Sequence, residues 1–276
     1  MMLTVDGLSF SYGGRRILDD ISFEVGGNSI VSILGPNGVG KTTLLRCLCN
    51  LHRPQSGSVS IDGTDILALS GRDLAKHVGY VPQRSPPVRS TVFDTVLIGR
   101  RPHMGLGMSN RDIDITWGVL RSLGLEHLAM RYADEISGGE YQKVQIARAM
   151  AQEPDILVLD EPTNNLDISN QHTTMHSILH AVVSRGMCTI MTMHDINLAV
   201  HYSDSFIFIK DGRVRAYGGS EIITEELIRD VYGIDSDVIV HKGRPFVIPH
   251  TFPAELAHYH HTHDGYSHSH EVHGLR

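Results

Sequence analysis

A glycine-rich run at residues 35–43 constrains this chain more than any other stretch. It reads Gly35, Pro36, Asn37, Gly38, Val39, Gly40, Lys41, Thr42 and Thr43, which matches the phosphate-binding pattern G-x-x-x-x-G-K-T. The apolar, β-branched residues 29–34 before it predict a buried strand, and residues 43–49 after it are apolar at helical spacing. A glycine turn beside a chance lysine is the alternative, but strand, loop and helix in this order favour a phosphate loop.

The residue types in this loop suit ATP with Mg²⁺. Glycines allow positive φ, so the backbone can pass close around a polyphosphate. The N–H groups of the loop and of the following helix N-terminus form an anion site. Lys41 adds a positive charge for the β- and γ-phosphates, and the Thr42 hydroxyl is a ligand for Mg²⁺.

Composition limits the class of protein. The 276 residues, 41% of them hydrophobic, are enough for one large or two small domains with a real core. A net charge of −7 lacks the basic excess of a duplex-binding surface, so we expect no nucleic-acid partner. Cys47, Cys49 and Cys188 lack disulfide spacing and are expected to be reduced and buried, as in a cytosolic protein. No stretch approaches the ~20 apolar residues of a membrane span.

Strand and helix patterns alternate along the chain. Residues 2–10 and 16–25 alternate apolar and polar positions and predict an antiparallel hairpin. Tyr12, at its turn, is either an ordinary turn residue or an aromatic on which adenine can stack. Residues 84–153 lack strand patterns and predict a helical insertion between two parts of a mainly parallel α/β sheet. Helix is predicted over residues 220–231 and extended structure over residues 236–248.

A second motif carries acidic residues at the end of a strand. Residues 155–159 form an apolar run that leads directly into Asp160 and Glu161. This pattern places Asp160 at the carboxyl end of a buried strand, where it can hold Mg²⁺ beside a phosphate loop. Glu161 can face the γ-phosphate and polarise water. Two solvated loop acids are the alternative, which the phosphate loop in the same chain makes weaker.

The segment Ile136-Ser137-Gly138-Gly139-Glu140, with the Tyr-Gln-Lys-Val-Gln-Ile-Ala-Arg-Ala run that follows, resembles the LSGGQ signature of ATP-binding cassette (ABC) proteins. Ser137, Gly138 and Gly139 lead into a helix N-terminus, which can form a second anion site. In that family this site grips the γ-phosphate held by the opposite subunit, so two copies sandwich two ATP molecules head to tail.

The resemblance covers about residues 2–249. It implies a RecA-like P-loop NTPase core with a mainly parallel sheet, an antiparallel β subdomain and an inserted α-helical subdomain. The implied nucleotide-binding domain spans residues 1–249, with the helical subdomain at about residues 84–153. The remaining residues 250–276 form a histidine-rich tail.

Site roles follow from the resemblance residue by residue. Tyr12 resembles the adenine-stacking aromatic, and Gln83 resembles the glutamine that reaches Mg²⁺ and the attacking water. Asp160 resembles the Walker B aspartate, a Mg²⁺ ligand, and Glu161 the catalytic carboxylate. His194 resembles the switch histidine that contacts the γ-phosphate, although a lone histidine after a strand is more often structural.

Two departures from the family pattern stand out. Ile136 and Glu140 replace the leucine and glutamine of the usual signature, which we expect to tune the site and not to abolish it. The segment Asn164-Asn165-Leu166-Asp167 resembles the D-loop, but carries two asparagines where serine and alanine are commoner. The contacts of this turn across a dimer are therefore left open.

The sequence indicates the kind of transporter less strongly than it indicates the ATPase motifs. Residues 99–103, Gly-Arg-Arg-Pro-His, resemble cassettes of importers for iron–siderophore complexes, haem and cobalamin. The family implies separate membrane permease subunits that dock around residues 83–101, an indirect substrate-binding protein, and a location on the cytoplasmic face of the membrane. Import of a free metal ion or oxyanion, or a soluble role outside transport, are the alternatives.

The tail is unusually rich in histidine. It carries His258, His260, His261, His263, His268, His270 and His273. Such tracts can bind Zn²⁺ or Ni²⁺ through neutral imidazoles, but the spacing is not that of a closed site and the composition indicates disorder. A metal buffer or sensor, an inert tail and an artefact remain open.

Overall fold

The computed structural model describes residues 1–105, 107–164 and 166–250, so the tail histidines predicted as metal ligands lie outside it. The strands of the described chain are β1 (Met2–Tyr12), β2 (Arg15–Gly26), β3 (Ile30–Leu34), β4 (Ser56–Ile61), β5 (Thr64–Asp65), β6 (Val78–Val81), β7 (Ile156–Asp160), β8 (Cys188–Thr192), β9 (Ser205–Lys210), β10 (Arg213–Gly218), β11 (Ser236–His241) and β12 (Arg244–Pro249). The α-helices are α1 (Lys41–Leu48), α2 (Gly71–His77), α3 (Val92–Leu97), α4 (Asn110–Ser122), α5 (Gly138–Met150), α6 (Ile168–Arg185), α7 (Ile196–Tyr202) and α8 (Glu225–Tyr232).

A six-stranded sheet forms the centre of the fold. Its strand order is β10-β9-β3-β8-β7-β6, and every neighbouring pair is parallel except β9 and β10. The predicted mainly parallel α/β sheet is therefore confirmed. Because β3, β7 and β8 run the same way side by side, the loops after them meet at one edge of the sheet.

The two faces of this sheet belong to two hydrophobic clusters. Side chains alternate along a strand, so Ile156 and Val158 of β7 enter one cluster while Leu157 and Leu159 enter the other. The first cluster lies against α1 and a four-stranded antiparallel sheet of order β2-β1-β4-β5. The second contains side chains from the helices between β6 and β7 and from α6 to α8. Both faces are covered, which explains the uninterrupted apolar runs of the central strands.

The segment between β6 and β7 is helical, with α3, α4 and α5 as its main elements. A buried ion pair connects them: Arg100, after α3, donates from Nε to Asp112 of α4 at 3.1 Å and from NH1 to the carbonyl of Ala151, after α5, at 2.6 Å. Gly99 lies so close to α5 that an added Cβ would stand 2.1 Å from the Arg148 carbonyl oxygen. These contacts hold the connector after α3 against the end of α5.

One sequence-based element prediction needs correction. The helix predicted over residues 220–231 is a short 3-10 turn, Ser220–Ile222, followed by α8, because Thr224 starts a new helix by accepting from the Leu227 N–H at 3.2 Å. The extended structure predicted over residues 236–248 is confirmed, and its two strands β11 and β12 pair as a hairpin. The three cysteines are free and buried, as predicted, and burial raises the pKa of the Cys47 thiol to about 12. Among the described residues, no helix is both long and apolar enough to cross a bilayer.

Candidate active site

The predicted phosphate loop connects β3 to α1 at the sheet edge. Two of its glycines stand where a side chain would be crowded and the backbone strained. An added Cβ would lie 2.3 Å from the Ile209 carbonyl oxygen at Gly35 (φ +147°), and 2.9 Å from the Leu18 side chain at Gly40 (φ +107°). The loop backbone is thus pressed against β2 and β9, in a conformation that L side chains rarely adopt.

The first turn of α1 presents unpaired donors. Gly40 is the residue before the helix and offers no side-chain cap, and no acidic side chain lies in the first turn. The first intrahelical bond runs from the Leu44 N–H to the Gly40 carbonyl at 2.8 Å, so the N–H groups before it have no helical acceptor. This helix end is suited to an anion.

Lys41 is held within the loop. Its ammonium donates to the Gly35 carbonyl at 2.6 Å and to the Pro36 carbonyl at 3.0 Å, and the residue is only 6% exposed. Burial lowers the pKa of Lys41, against the opposing attraction of Glu161 and Asp160. A positive charge in this environment is weakly screened and attracts a polyphosphate strongly.

Asp160 is buried at the end of β7 and joins three elements. Its Oδ1 accepts from the Thr42 hydroxyl at 3.1 Å and from the Thr192 hydroxyl at 2.8 Å. Burial raises its pKa, while the hydroxyls of Thr192 and Thr42 act in the opposite direction. A carboxylate and a hydroxyl from two motifs therefore meet as hard oxygen donors, which is the chemistry that fits Mg²⁺.

Glu161 begins the turn after β7, and its backbone is held in the left-handed region at φ +52°. Its N–H donates to the Thr192 hydroxyl at 2.9 Å. Its carboxylate accepts from the amides of Gln83 and Asn164 on Oε2 and pairs with His194 Nε2 through Oε1. Gln83 follows β6 and His194 follows β8, so the parallel sheet brings together side chains that are far apart in the sequence.

A cavity of about 210 Å³ connects these groups to the phosphate loop. It is lined by Tyr12, Ile17, Asn37, Gly38, Gly40, Lys41, Thr42, Thr43, Glu161 and His194. Tyr12, a residue that is 44% exposed, lines this cavity, and its hydroxyl lies 2.6 Å from His52 Nε2. Asp160 and Gln83 do not line the cavity but contact residues that do.

The predicted second anion site lies elsewhere on the molecule. Ser137 precedes α5 and forms a capping box with Glu140: the Ser137 hydroxyl accepts from the Glu140 N–H at 3.3 Å, and Glu140 Oε2 accepts from the Ser137 N–H at 2.9 Å. The Ser137 hydroxyl also donates to Glu140 Oε2 at 2.7 Å, and this bond, together with the one from the Ser137 N–H, lowers the pKa of Glu140. Neither Ser137 nor Gly138 nor Gly139 lines the cavity of about 210 Å³ in the same chain. The glutamate that departs from the family pattern thus stabilises the turn locally.

Two contacts at the site were not predicted from the sequence. Thr192 bonds both Asp160 and the Glu161 backbone, and the signal for it was a polar residue at the end of the apolar β8 run. Asn164 was noted only as a departure from the D-loop pattern, yet its amide contacts the Glu161 carboxylate at 2.9 Å.

Known proteins are similar to this chain in sequence and in fold. The family model described as ABC transporter matches residues 18–164. An uncharacterized ABC transporter ATP-binding protein of Methanocaldococcus jannaschii, MJ0089, is 52% identical over 249 residues, covering 90% of this chain and 98% of the relative. The hemin import ATP-binding protein HmuV of Gloeobacter violaceus is 36% identical over 259 residues, covering 90% of this chain and 94% of HmuV.

A solved structure agrees with the sequence relatives. A chain from an inward-facing ABC transporter assigned to the metal-chelate type matches with a TM-score of 0.77 at 28% identity, covering 90% of this chain and 96% of that one. The matched family segment contains the phosphate loop, the signature and the acidic residues after β7. From the site geometry and these similarities together, the chain belongs to the ABC transporter family and is an ATP-binding subunit with ATPase activity.

Proposed function

We propose that this chain powers import of an iron–siderophore or related metal complex, such as haem or cobalamin, through separate membrane permease subunits. Two similarities support this substrate class: the hemin import relative at 36% identity and the metal-chelate type transporter with the same fold. In this proposal the chain sits on the cytoplasmic face of the membrane, and a substrate-binding protein delivers the complex to the permease.

One observation carries the proposed chemistry: the Glu161 carboxylate and the Lys41 ammonium line one cavity, with His194 beside the carboxylate. Lys41 and the α1 N-terminus bind the phosphates, and the Tyr12 ring packs on adenine. Glu161 orients the attacking water and accepts its proton, while His194 contacts the γ-phosphate. A base, a phosphate-binding cation and a polar partner are what an in-line hydrolysis requires.

Mg²⁺ fits the oxygen donors that meet beside the cavity. Thr42 and Asp160 would hold it, because their hydroxyl and carboxylate already meet at 3.1 Å, with Gln83 as a further oxygen ligand. When bound, the ion neutralises charge on the phosphate oxygens. The Thr192 hydroxyl keeps Asp160 in place for this role.

The other half of the site comes from a second copy in this proposal. Ser137, Gly138 and Gly139 do not line the cavity of their own chain, and in the proposed dimer they contact a γ-phosphate held by the other molecule. A head-to-tail dimer brings the α5 N-terminus of one copy to the phosphate loop of the other. ATP binding closes this dimer, and hydrolysis reopens it.

The proposed permease surface is the helical segment and its connector. A groove of about 570 Å³ lies between α2 and residues 101–105, with Arg72 and Arg101 on its walls. Arg72 donates from Nε to the Pro102 carbonyl at 3.1 Å, which fixes one side of the groove. The connector also packs on α5, so motion of the signature helix can reach the groove.

The catalytic assignment is tested with Glu161→Gln. We expect the variant to bind ATP as tightly as wild type, to lose nearly all turnover, and to accumulate an ATP-bound dimer in gel filtration. Wild-type turnover by this variant would show that Glu161 is not the base. Lack of a dimer in either protein would remove the shared-site part of the proposal.

The substrate class is tested by uptake in the source organism. A strain carrying Lys41→Ala in place of the native chain should lose uptake of a labelled iron–siderophore complex, haem or cobalamin, and regain it with the wild-type copy. Uptake of an unrelated amino acid is the control. Normal uptake of all three metal complexes by the mutant strain would contradict the proposed substrate class.

A further inference from the structure

Asn164 stands where serine is commoner in this turn, and it contacts the Glu161 carboxylate. Its Nδ2 donates to Glu161 Oε2 at 2.9 Å, and its N–H donates to the Glu161 carbonyl at 3.1 Å. The second bond closes a tight turn that begins at Glu161, whose φ is +52°. The geometry that brings the asparagine amide back to the carboxylate is therefore built from residues 161–164 alone.

Three side chains contact the Glu161 carboxylate, and two of them also have proposed roles toward the nucleotide or Mg²⁺. Gln83 donates to the same oxygen, Oε2, but is also the proposed Mg²⁺ ligand. His194 pairs with Oε1 and is the proposed γ-phosphate contact. An amide or imidazole that turns to the nucleotide cannot at the same time restrain the base. Asn164 has no such second role in its own chain.

Asn164 approaches the carboxylate from the side away from the nucleotide. Glu161 and His194 line both the nucleotide cavity and a second cavity of about 120 Å³. Asn164 lines only the second, together with Thr163 and Gln171. The carboxylate thus stands between the two cavities, with Asn164 behind it.

We propose that Asn164 is a positioning residue for ATP hydrolysis, which holds Oε2 of Glu161 and keeps Oε1 on the side of His194 and the bound water. This inference rests on the proposed role of Glu161 as the base. Because Asn164 touches neither the phosphate loop nor the nucleotide cavity, its amide acts on the rate of the chemical step and not on ATP affinity.

The test compares three variants by steady-state kinetics. Asn164→Ala removes the donor, and Asn164→Asp keeps the shape but replaces the amide donor with an acceptor. We expect both to lower kcat by about tenfold or more, the order of one lost hydrogen bond to a charged group, with the KM for ATP within about twofold. Gln171→Ala is the matched control, since Gln171 lines the same cavity and bonds the Thr163 carbonyl instead of Glu161.

Two outcomes would overturn the inference. A kcat for Asn164→Asp equal to that of wild type would mean that only the shape of the side chain matters. A raised KM or Kd for ATP with unchanged kcat would place Asn164 in nucleotide binding.

The Glu161→Gln background separates this inference from the proposed function. Adding Asn164→Ala there should cause no further loss of turnover and should leave the ATP-bound dimer intact, because the base it positions is already gone. Loss of the dimer would assign Asn164 to the partner contact and refute the positioning role. Normal turnover by Glu161→Gln would contradict the proposed function itself. If Glu161→Gln is inactive but the Asn164 variants have wild-type kcat, only the inference about Asn164 is refuted.

Discussion

Thr192→Val removes one hydroxyl that supports both acidic residues of the site. The Thr192 Oγ1 donates to Asp160 Oδ1 at 2.8 Å and accepts from the Glu161 N–H at 2.9 Å. Valine has nearly the same volume as threonine, so the substitution should not leave a cavity. The change loses one hydrogen bond to a buried carboxylate and leaves a backbone N–H without its partner. The hydrogen bond to the carboxylate contributes about 1.5–3 kcal/mol, and the unpaired N–H costs about 1–3 kcal/mol. We therefore expect the free energy of unfolding to fall by roughly 3 kcal/mol or more.

The same strand supplies a matched control. Thr189 is also fully buried in β8, but within the described chain its hydroxyl has no hydrogen-bond partner. Thr189→Val therefore removes a buried polar atom that contributes no bond, and should be neutral or stabilising by about 1 kcal/mol. Two threonines three residues apart thus predict opposite results for an identical substitution.

Urea unfolding of the two variants and the wild type measures the difference, and ATPase assays at saturating ATP follow its effect on the site. We expect Thr192→Val to lower kcat as well, since Asp160 and the Glu161 backbone lose their common anchor. Equal free energies of unfolding for the two variants would refute the reasoning, because only their hydrogen bonds distinguish them.

Three further predictions follow from single residues. Lys41→Ala should weaken Mg·ATP binding by about tenfold or more in calorimetry, and unchanged affinity would contradict its phosphate role. Gly99→Ala should lower Tm, because its Cβ would stand 2.1 Å from a carbonyl oxygen of α5, whereas Gly118→Ala, with open space in α4, should raise it slightly. His201 is exposed, but partial desolvation, then Arg244 and neighbouring histidines, lowers its pKa. The unfolded chain therefore binds more protons below about pH 6.5, so stability should fall as pH falls through that value, and less steeply in His201→Gln.

Residues 35–43 show why part of the site could be predicted. The phosphate loop is contiguous, and its glycines, lysine and threonine determine their own backbone and chemistry. The apolar run before Asp160 likewise predicted a buried strand with an acid at its end. The break before α8 was missed because Thr224 starts a helix through a single side-chain bond, which periodicity does not detect.

Contacts between segments that are distant in the chain could not be predicted from local sequence patterns. Thr192 lies 32 residues from Asp160, and the two are brought together by the parallel register of β7 and β8. The buried Arg100 network is similar, since Asp112 and the end of α5 approach it from different helices. No local pattern states which strands are neighbours or how they are aligned.

By itself, the sequence determined the phosphate loop, the acidic strand end, the signature turn and the alternation of strands and helices, because each depends on residues adjacent in the chain. Only the tertiary structure decided that Gln83, Asn164 and His194 surround Glu161, and that Ser137 lies away from the cavity of its own molecule. The reason is physical: local backbone preferences act over a few residues, whereas strand order and register set which side chains meet at the sheet edge.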